Sequence, residues 1–302
     1  MYIFFINPSL YALGFFNVFQ MNYYNFNGKL FPEQEPALGP NSRAVRYGDG
    51  LFETIKYRNG QLLLQEEHFD RLWQGMRLLK FDIPAQFTPQ LLKNEIERTV
   101  QKNKHTSARI RMAIVRGEGG MFDPKNHLPN YIIQSWQLPQ KIELLNSNGL
   151  VLSIYRDGWK SCDSFCNVKH NNYLCYCMAA LYAKEQFSND ALLLNNYGRI
   201  CDSSIANVYM IKDEKIFTPS LSEGCIAGVM RNFLIQHLPV LGYPVEETQI
   251  TEQMLYSADE VFLSNSIFNI RWIAHVGSYD YKNKKVVEMV NALHNACPGV
   301  FY

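Results

Sequence analysis

The sequence carries no surplus of either charge: 29 Lys and Arg stand against 28 Asp and Glu in 302 residues, a formal net charge of +1. Such a balance provides no global field for a polyanion, which argues against nucleic acid or an anionic membrane surface as a partner and favours a small molecule. Paired cysteines are missing too. The seven present (Cys162, Cys166, Cys175, Cys177, Cys201, Cys225 and Cys297) form no C-x-x-C and no Cys/His group at zinc spacing, and an odd count does not make a disulfide framework. They read as free thiols of a reducing cytoplasm, with no metal held. The apolar N-terminus, MYIFFINPSLYALGFFNVFQ, lacks a basic start and a small-residue cleavage site, and Asn7, Pro8, Gly14, Asn17 and Gln20 interrupt it. It therefore reads neither as a signal peptide nor as a spanning helix. Residues 1–20 are expected to be an extension, from an upstream start, ahead of a domain that opens at Met21. Internal repeats and low-complexity segments are absent as well.

What is present is enough for a large core. At 47% apolar and 14% aromatic the chain is globular and long enough for two compact domains. Asn27-Gly28 and Asn59-Gly60, each between alternating apolar residues, predict two β-hairpins. Phe69, Leu72, Trp73, Met76 and Leu79 fall on one helical face, predicting a helix over 66–79, and a second helix is expected over 88–101. ARIRMAIVRG reads as a strand. The polar, turn-rich QLPQKIELLNSNG is the expected linker at 137–149, dividing a small α/β domain (21–136) from a larger one (150–302). In the larger part a strand over 150–155 precedes FCNVKHNNYLCYCMAALYAKE, which reads as a buried helix with Lys169 at its mouth. Strands punctuated by turns follow, then helical patterns at GVMRNFLIQHLPVLG and VVEMVNALHNA.

Several short patterns are weak singly. YGDGLFET has two glycines around an aspartate but neither the spacing nor the Lys-Ser/Thr pair of a P-loop, so alone it is a tight turn. His68 and Arg71 in EEHFDRL are three apart on a helix and can point the same way. Gly224 and Gly228 precede a helical pattern whose free N–H groups and dipole would suit a phosphate.

Taken in order, YGDGLFET, HFDRL, VKHNNYL, GRICDSSIANVY, FTPSL, GVMR and ADEVFLSNS resemble the class IV aminotransferase family of pyridoxal-phosphate enzymes, over about residues 21–278. That family spans branched-chain aminotransferases, D-amino-acid aminotransferases and aminodeoxychorismate lyases. The resemblance implies an α+β, α/β two-domain fold of the D-amino-acid-aminotransferase type, usually a homodimer, with pyridoxal 5'-phosphate as cofactor. It assigns Lys169 as the Schiff-base lysine and the group that moves the proton at the substrate's α-carbon. Tyr173 would approach the cofactor's phenolic oxygen. Arg71, the backbone N–H groups of Val229 and Met230, and the Ser266 hydroxyl would hold the phosphate. Asp202 stands where most members carry a glutamate that pairs with the pyridine nitrogen; it has the same charge on a stem one methylene shorter. Met230 replaces a threonine common in aminotransferases.

The resemblance also bears on the reaction. Asn265-Ser266, where branched-chain aminotransferases tend to have Gly-Thr, together with GVMR and VKHNNYL, is similar to the aminodeoxychorismate lyases. There the lysine removes the proton, the ring aromatises, and pyruvate and 4-aminobenzoate leave with no second keto acid. That substrate carries two carboxylates, for which Arg46, Arg116 and Arg271 are candidates, with Phe52 and Asn265 also lining the substrate site. Met121 and Phe122 stand where some lyases have a basic residue, and Trp272 replaces a common proline. RGEGGMFD lacks the Arg and His that bind carboxylate in D-amino-acid aminotransferases. Two alternatives stand beside the lyase: a transaminase for branched-chain or other L-amino acids with a 2-keto-acid acceptor, and an inactive member that binds the cofactor or a protein partner.

Overall fold

The computed structural model describes residues 22–139, 142 and 144–301. The expected extension, residues 1–20, lies outside the described residues, as do three positions of the expected linker.

The first half builds one antiparallel sheet. β1 (Tyr23–Phe26) and β2 (Lys29–Pro32) form the first hairpin, with α1 (Arg43–Tyr47) between them and β3 (Gly50–Arg58); β4 (Gln61–Leu62), β5 (Ser107–Arg116) and β6 (Pro129–Gln137) complete the order β2-β1-β6-β5-β3-β4. Both predicted hairpins form. Asn27 and Asn59 each take φ 49°, followed by Gly28 at 83° and Gly60 at 81°, the left-handed pair a two-residue turn needs. The predicted helices form as α2 (Gln65–Leu78) and α3 (Pro89–Lys102). Thr88 caps the latter, accepting from Leu91 N–H at 3.1 Å, and Pro89 fits the first turn because its missing donor would have had no partner. Leu72 and Met76 of α2 and Leu92 and Ile96 of α3 bury fully against Ile55, Ile110, Met112 and Ile133 of the sheet. Each such side chain contributes roughly 2 kcal/mol of burial.

The second half builds a mixed nine-stranded sheet from β7 (Leu150–Lys160), β8 (Asp190–Asn195), β9 (Ile200–Ser203), β10 (Asn207–Lys212), β11 (Lys215–Pro219), β12 (Val245–Thr248), β13 (Glu260–Asn265), β14 (Asn269–Val276) and β15 (Tyr279–Asp280). Around it lie α4 (Leu174–Glu185), α5 (Val229–His237), α6 (Glu252–Tyr256) and α7 (Lys284–Ala296). Its central strands are buried on both faces, so they read as continuous apolar runs. In β13, Val261 and Leu263 enter one core while Phe262 enters the other with Met289 and Leu293 of α7.

Three expectations need correction here. β7 does not end at residue 155 but runs to Lys160, through a register shift between Tyr155 and Trp159. The helix of the 165–185 stretch begins only at Leu174, so Lys169 lies in an extended loop and Tyr173 is the residue before the helix. Here His170 N–H donates to Val168 O at 2.9 Å and Tyr173 N–H to Asn171 O at 2.8 Å, two-residue turns that precede the first helical turn. The loop is instead stitched to β3: Phe52 N–H donates to Lys169 O at 2.8 Å and Asn171 N–H to Gly50 O at 2.9 Å. Nor is the helix buried all round, since Leu174, Met178 and Leu181 are exposed.

Candidate active site

Between the two sheets a cavity of about 290 Å³ opens, walled by β3, β5 and α2 on one side and by the 161–173 loop, β9, the start of α5 and the β13–β14 turn on the other. Of the residues expected at the site it collects Phe52, Arg71, Lys169, Tyr173, Asp202, Val229, Asn265 and Ser266.

Lys169 reaches into this space with its Nζ 3.4 Å from the Tyr173 hydroxyl and 4.8 Å from the centre of the Phe52 ring. Among the described residues no carboxylate sits within ion-pair distance of it. Burial first, and then the charge of Arg71, push its pKa down from 10.5 to about 8, against the opposing pull of Glu53 and Asp202. A sizeable fraction of this amine is therefore neutral near physiological pH and can act as nucleophile or base. Tyr173 stacks on Tyr176, ring centres 4.2 Å apart, and its hydroxyl is pushed up by burial and stays protonated.

Arg71 is held by a residue that sequence reasoning passed over. Glu53 of β3 accepts from Arg71 Nε at 2.8 Å and from Nη2 at 2.5 Å, while Arg71 Nη1 donates to Ala227 O at 2.9 Å. His68 closes the group from behind, its Nδ1 2.6 Å from Glu53 Oε2. Burial alone would raise the Glu53 carboxyl, but Arg71 and His68 outweigh it and hold it at about 2. Burial lowers His68, so the imidazole is neutral, and the carboxylate assigns its hydrogen to Nδ1. A guanidinium has five N–H groups and three are used here, which leaves two for a ligand in the cavity. Beside it α5 begins with free N–H groups and no side-chain cap. Gly228 is required at that start: a Cβ there would lie 2.0 Å from Asn207 Oδ1. An arginine aimed by a buried carboxylate, next to an uncapped helix start, suits a phosphate. Met230 turns its side chain into the core beneath, so only its backbone can share in this.

Asp202 of β9 is buried, yet lines the cavity. Its Oδ2 accepts from the Tyr176 hydroxyl at 2.8 Å, Ile226 N–H at 2.9 Å and Lys160 Nζ at 3.3 Å; among the described residues Oδ1 accepts only from Asn207 Nδ2, at 2.9 Å. Burial raises the carboxyl's pKa against the pull of Lys160. Lys160 is driven down by its own burial, but the adjacent carboxylate outweighs this and the net direction is up, so the ammonium stays charged.

Three expected arginines do not reach the cavity. Arg116 is buried and committed to Asp49 at 2.9 Å and to the carbonyls of Leu79 and Lys80. Arg46 is exposed and lies over Tyr47. Arg271 bonds the carbonyls of Ile142 and Leu144. Arg109 of β5 lines the cavity instead, and Arg111 shares its face of the strand because the two are two residues apart. Arg111 lies 4.5 Å from the centre of the same Phe52 ring that Lys169 approaches, so the two cations are no farther apart than the sum of those distances. The signal was in the sequence: in ARIRMAI the arginines alternate with buried Ala108, Ile110 and Met112.

A two-sheet α+β protein with a desolvated lysine, a phosphate-type cradle and a buried carboxylate around one cavity has the parts of a pyridoxal-phosphate enzyme. The sequence model of the family described as amino-transferase class IV matches residues 50–276, and the chain belongs to this family of pyridoxal-phosphate-dependent transaminases and lyases. Among its relatives, the aminodeoxychorismate lyase of Vibrio harveyi is 29% identical over 253 residues, covering 83% of this chain and 91% of the relative. The D-alanine aminotransferase of Listeria innocua is 24% identical, covering 89% and 92%. The branched-chain amino acid aminotransferase of Escherichia coli superposes with a TM-score of 0.80 at 23% identity over 93% of this chain and 94% of that one, a likeness of fold.

Proposed function

We propose that this enzyme is a lyase of the aminodeoxychorismate lyase type, releasing pyruvate and 4-aminobenzoate from a substrate with two carboxylates. The observation that carries this reading is the Arg109–Arg111 pair beside the cavity. Neither guanidinium has a carboxylate partner among the described residues; Arg111 donates to Asn171 Oδ1 at 3.3 Å and lies over Phe52, and Arg109 lies over Trp136. Burial and the charge of Arg109 both lower the pKa of Arg111, and an incoming carboxylate would relieve that repulsion. The 29% identity to aminodeoxychorismate lyases and the Asn265-Ser266 turn support the same choice.

The roles follow from position. Bound pyridoxal phosphate supplies an electron-poor ring that accepts the electron pair left when the C–H bond breaks. Lys169 would take the proton from the carbon bearing the substrate amine and return one to the departing three-carbon group. Arg71, the N–H groups of Val229 and Met230, and Ser266 would hold the phosphate, Asp202 would take the ring nitrogen, and Tyr173, which keeps its proton beside Lys169, would serve the phenolic oxygen. Phe52 excludes water from Lys169. The exposed apolar side chains of Leu174, at 74% exposure, and Leu181, at 54%, support a homodimer, and unpaired thiols support a cytoplasmic setting.

One observation favours a transaminase as a second reading: Ile205, Ile267 and Phe268 give the cavity an apolar side that suits a branched side chain, while the arginine pair would take the distal carboxylate of glutamate. Product analysis separates the two. The holoprotein given aminodeoxychorismate is expected to form pyruvate, and given L-leucine with 2-oxoglutarate to form no glutamate. The reverse pattern establishes the transaminase, and no product from either would leave a cofactor-binding protein without this chemistry.

A further inference from the structure

Lys160 is an ammonium where an enzyme of this kind has no evident need for one. It lies at the end of β7, 8% exposed, and its Nζ is shared among Cys166 O at 3.2 Å, the Tyr176 hydroxyl and Asp202 Oδ2 at 3.3 Å. Two protein donors besides Lys160 converge on Oδ2, whereas among the described residues Oδ1 has a single partner and a lone pair to spare. We propose that Lys160 is a positioning residue that shares Asp202 with the ring nitrogen of the bound cofactor: it draws Oδ2 away from the cavity, leaves Oδ1 for the ring, and weakens the carboxylate's hold on the ring proton. The inference rests on the pyridoxal-phosphate reading of the cavity and not on the choice of substrate.

The electrostatics give the sign. An isolated carboxylate beside a pyridinium forms a neutral pair, which stabilises the ring proton. A buried ammonium on the carboxylate's other oxygen has already neutralised it, so the added ring proton leaves a net positive charge in a low-dielectric site. Among the described residues neither member has another ion-pair partner: Arg71 and Glu53 pair with each other on the Lys169 side, and Asp163 lies towards Cys166 and His170. The thiols of Cys166, Cys201 and Cys225 and the hydroxyls of Tyr173 and Tyr176 are all pushed up by burial and stay neutral, and burial lowers His170, which is neutral as well. Lys160 thus grades down the electron demand of the ring.

The test follows the ring nitrogen itself. Holoprotein carrying pyridoxal phosphate labelled with ¹⁵N in the ring is titrated by NMR as wild type and as Lys160→Gln, Lys160→Met and Lys160→Arg. The expected result is a ring-nitrogen midpoint about one pH unit or more higher in the two uncharged variants and unchanged in the arginine variant. Equal midpoints in all four, a ring nitrogen protonated at every pH in all four, or a downward shift would overturn the proposal. A crystal structure of the wild-type holoenzyme tests it with no substitution: Nζ within hydrogen-bond distance of Asp202 Oδ2 supports it, and Nζ turned away overturns it. Protein that takes up no labelled cofactor would overturn the reading of the cavity along with it.

Discussion

Burial and the neighbouring Arg71 hold Lys169 at about 8 against 10.5 in water, so between those values the unfolded chain binds a proton that the folded chain does not. Stability therefore rises with pH across that window, and below about 8 the full penalty, about 3 kcal/mol at most, is present. Lys169→Met keeps most of the stem and removes the charge. At pH 7 thermal denaturation of the cofactor-free variant is expected to give a higher Tm than wild type, with the gain shrinking as pH is raised towards 10; a variant no more stable at pH 7 would contradict the low pKa. A site that strains its own fold is the ordinary cost of a reactive amine. At this scale the sequence was legible where a residue sits in a distinctive order of motifs: the fold brings Lys169, Arg71 and Asp202 to one cavity. Glu53 was hidden because a glutamate within a strand pattern looks like a solvated position; only the fold shows it under Arg71. Lys160 was hidden because the register shift in β7 breaks the alternation by which its face could have been counted.

Among the elements, the hairpins and the helices α2 and α3 were readable because each depends on local chemistry: the positive φ of Asn-Gly, the Thr88 cap, a single apolar stripe. The start of α4 was not. Its pattern is apolar on several sides, so periodicity could not say that the chain from Lys169 to Tyr173 pairs with β3 instead of joining the helix. The start of α5 shows the opposite case, where one residue sets the element's function. Gly228 has ordinary φ of −66°, so an alanine there is not strained by its own backbone. Its Cβ would instead meet Asn207 Oδ1 at 2.0 Å, pushing aside a side chain that also donates to Asp202 and to Ile226 O. Gly228→Ala is expected to fold and to bind pyridoxal phosphate at least tenfold more weakly, about 1.4 kcal/mol, measured by equilibrium titration of the visible band. Unchanged affinity would show that this close approach does not shape the cradle.

Across the whole molecule, the cavity exists because two sheets with separate cores face each other, and the groups in it come from positions as far apart as Phe52 and Phe268. No spacing in the sequence reports that convergence; the family resemblance did, by supplying an order of motifs that the two halves then bring together. It was less informative about substrate. Arg46, Arg116 and Arg271 were plausible by type, and the structure commits Arg116 and Arg271 elsewhere and leaves Arg46 exposed over Tyr47. Two lysines lie near Asp202: among the described residues Lys169 has a depressed pKa and no acid partner, and Lys160 is in an ion pair with Asp202. Borohydride reduction of the holoprotein, followed by digestion and peptide mass spectrometry, decides between them: the phosphopyridoxyl group is predicted on Lys169 with Lys160 unmodified, and its appearance on Lys160, or on neither lysine, would contradict the account.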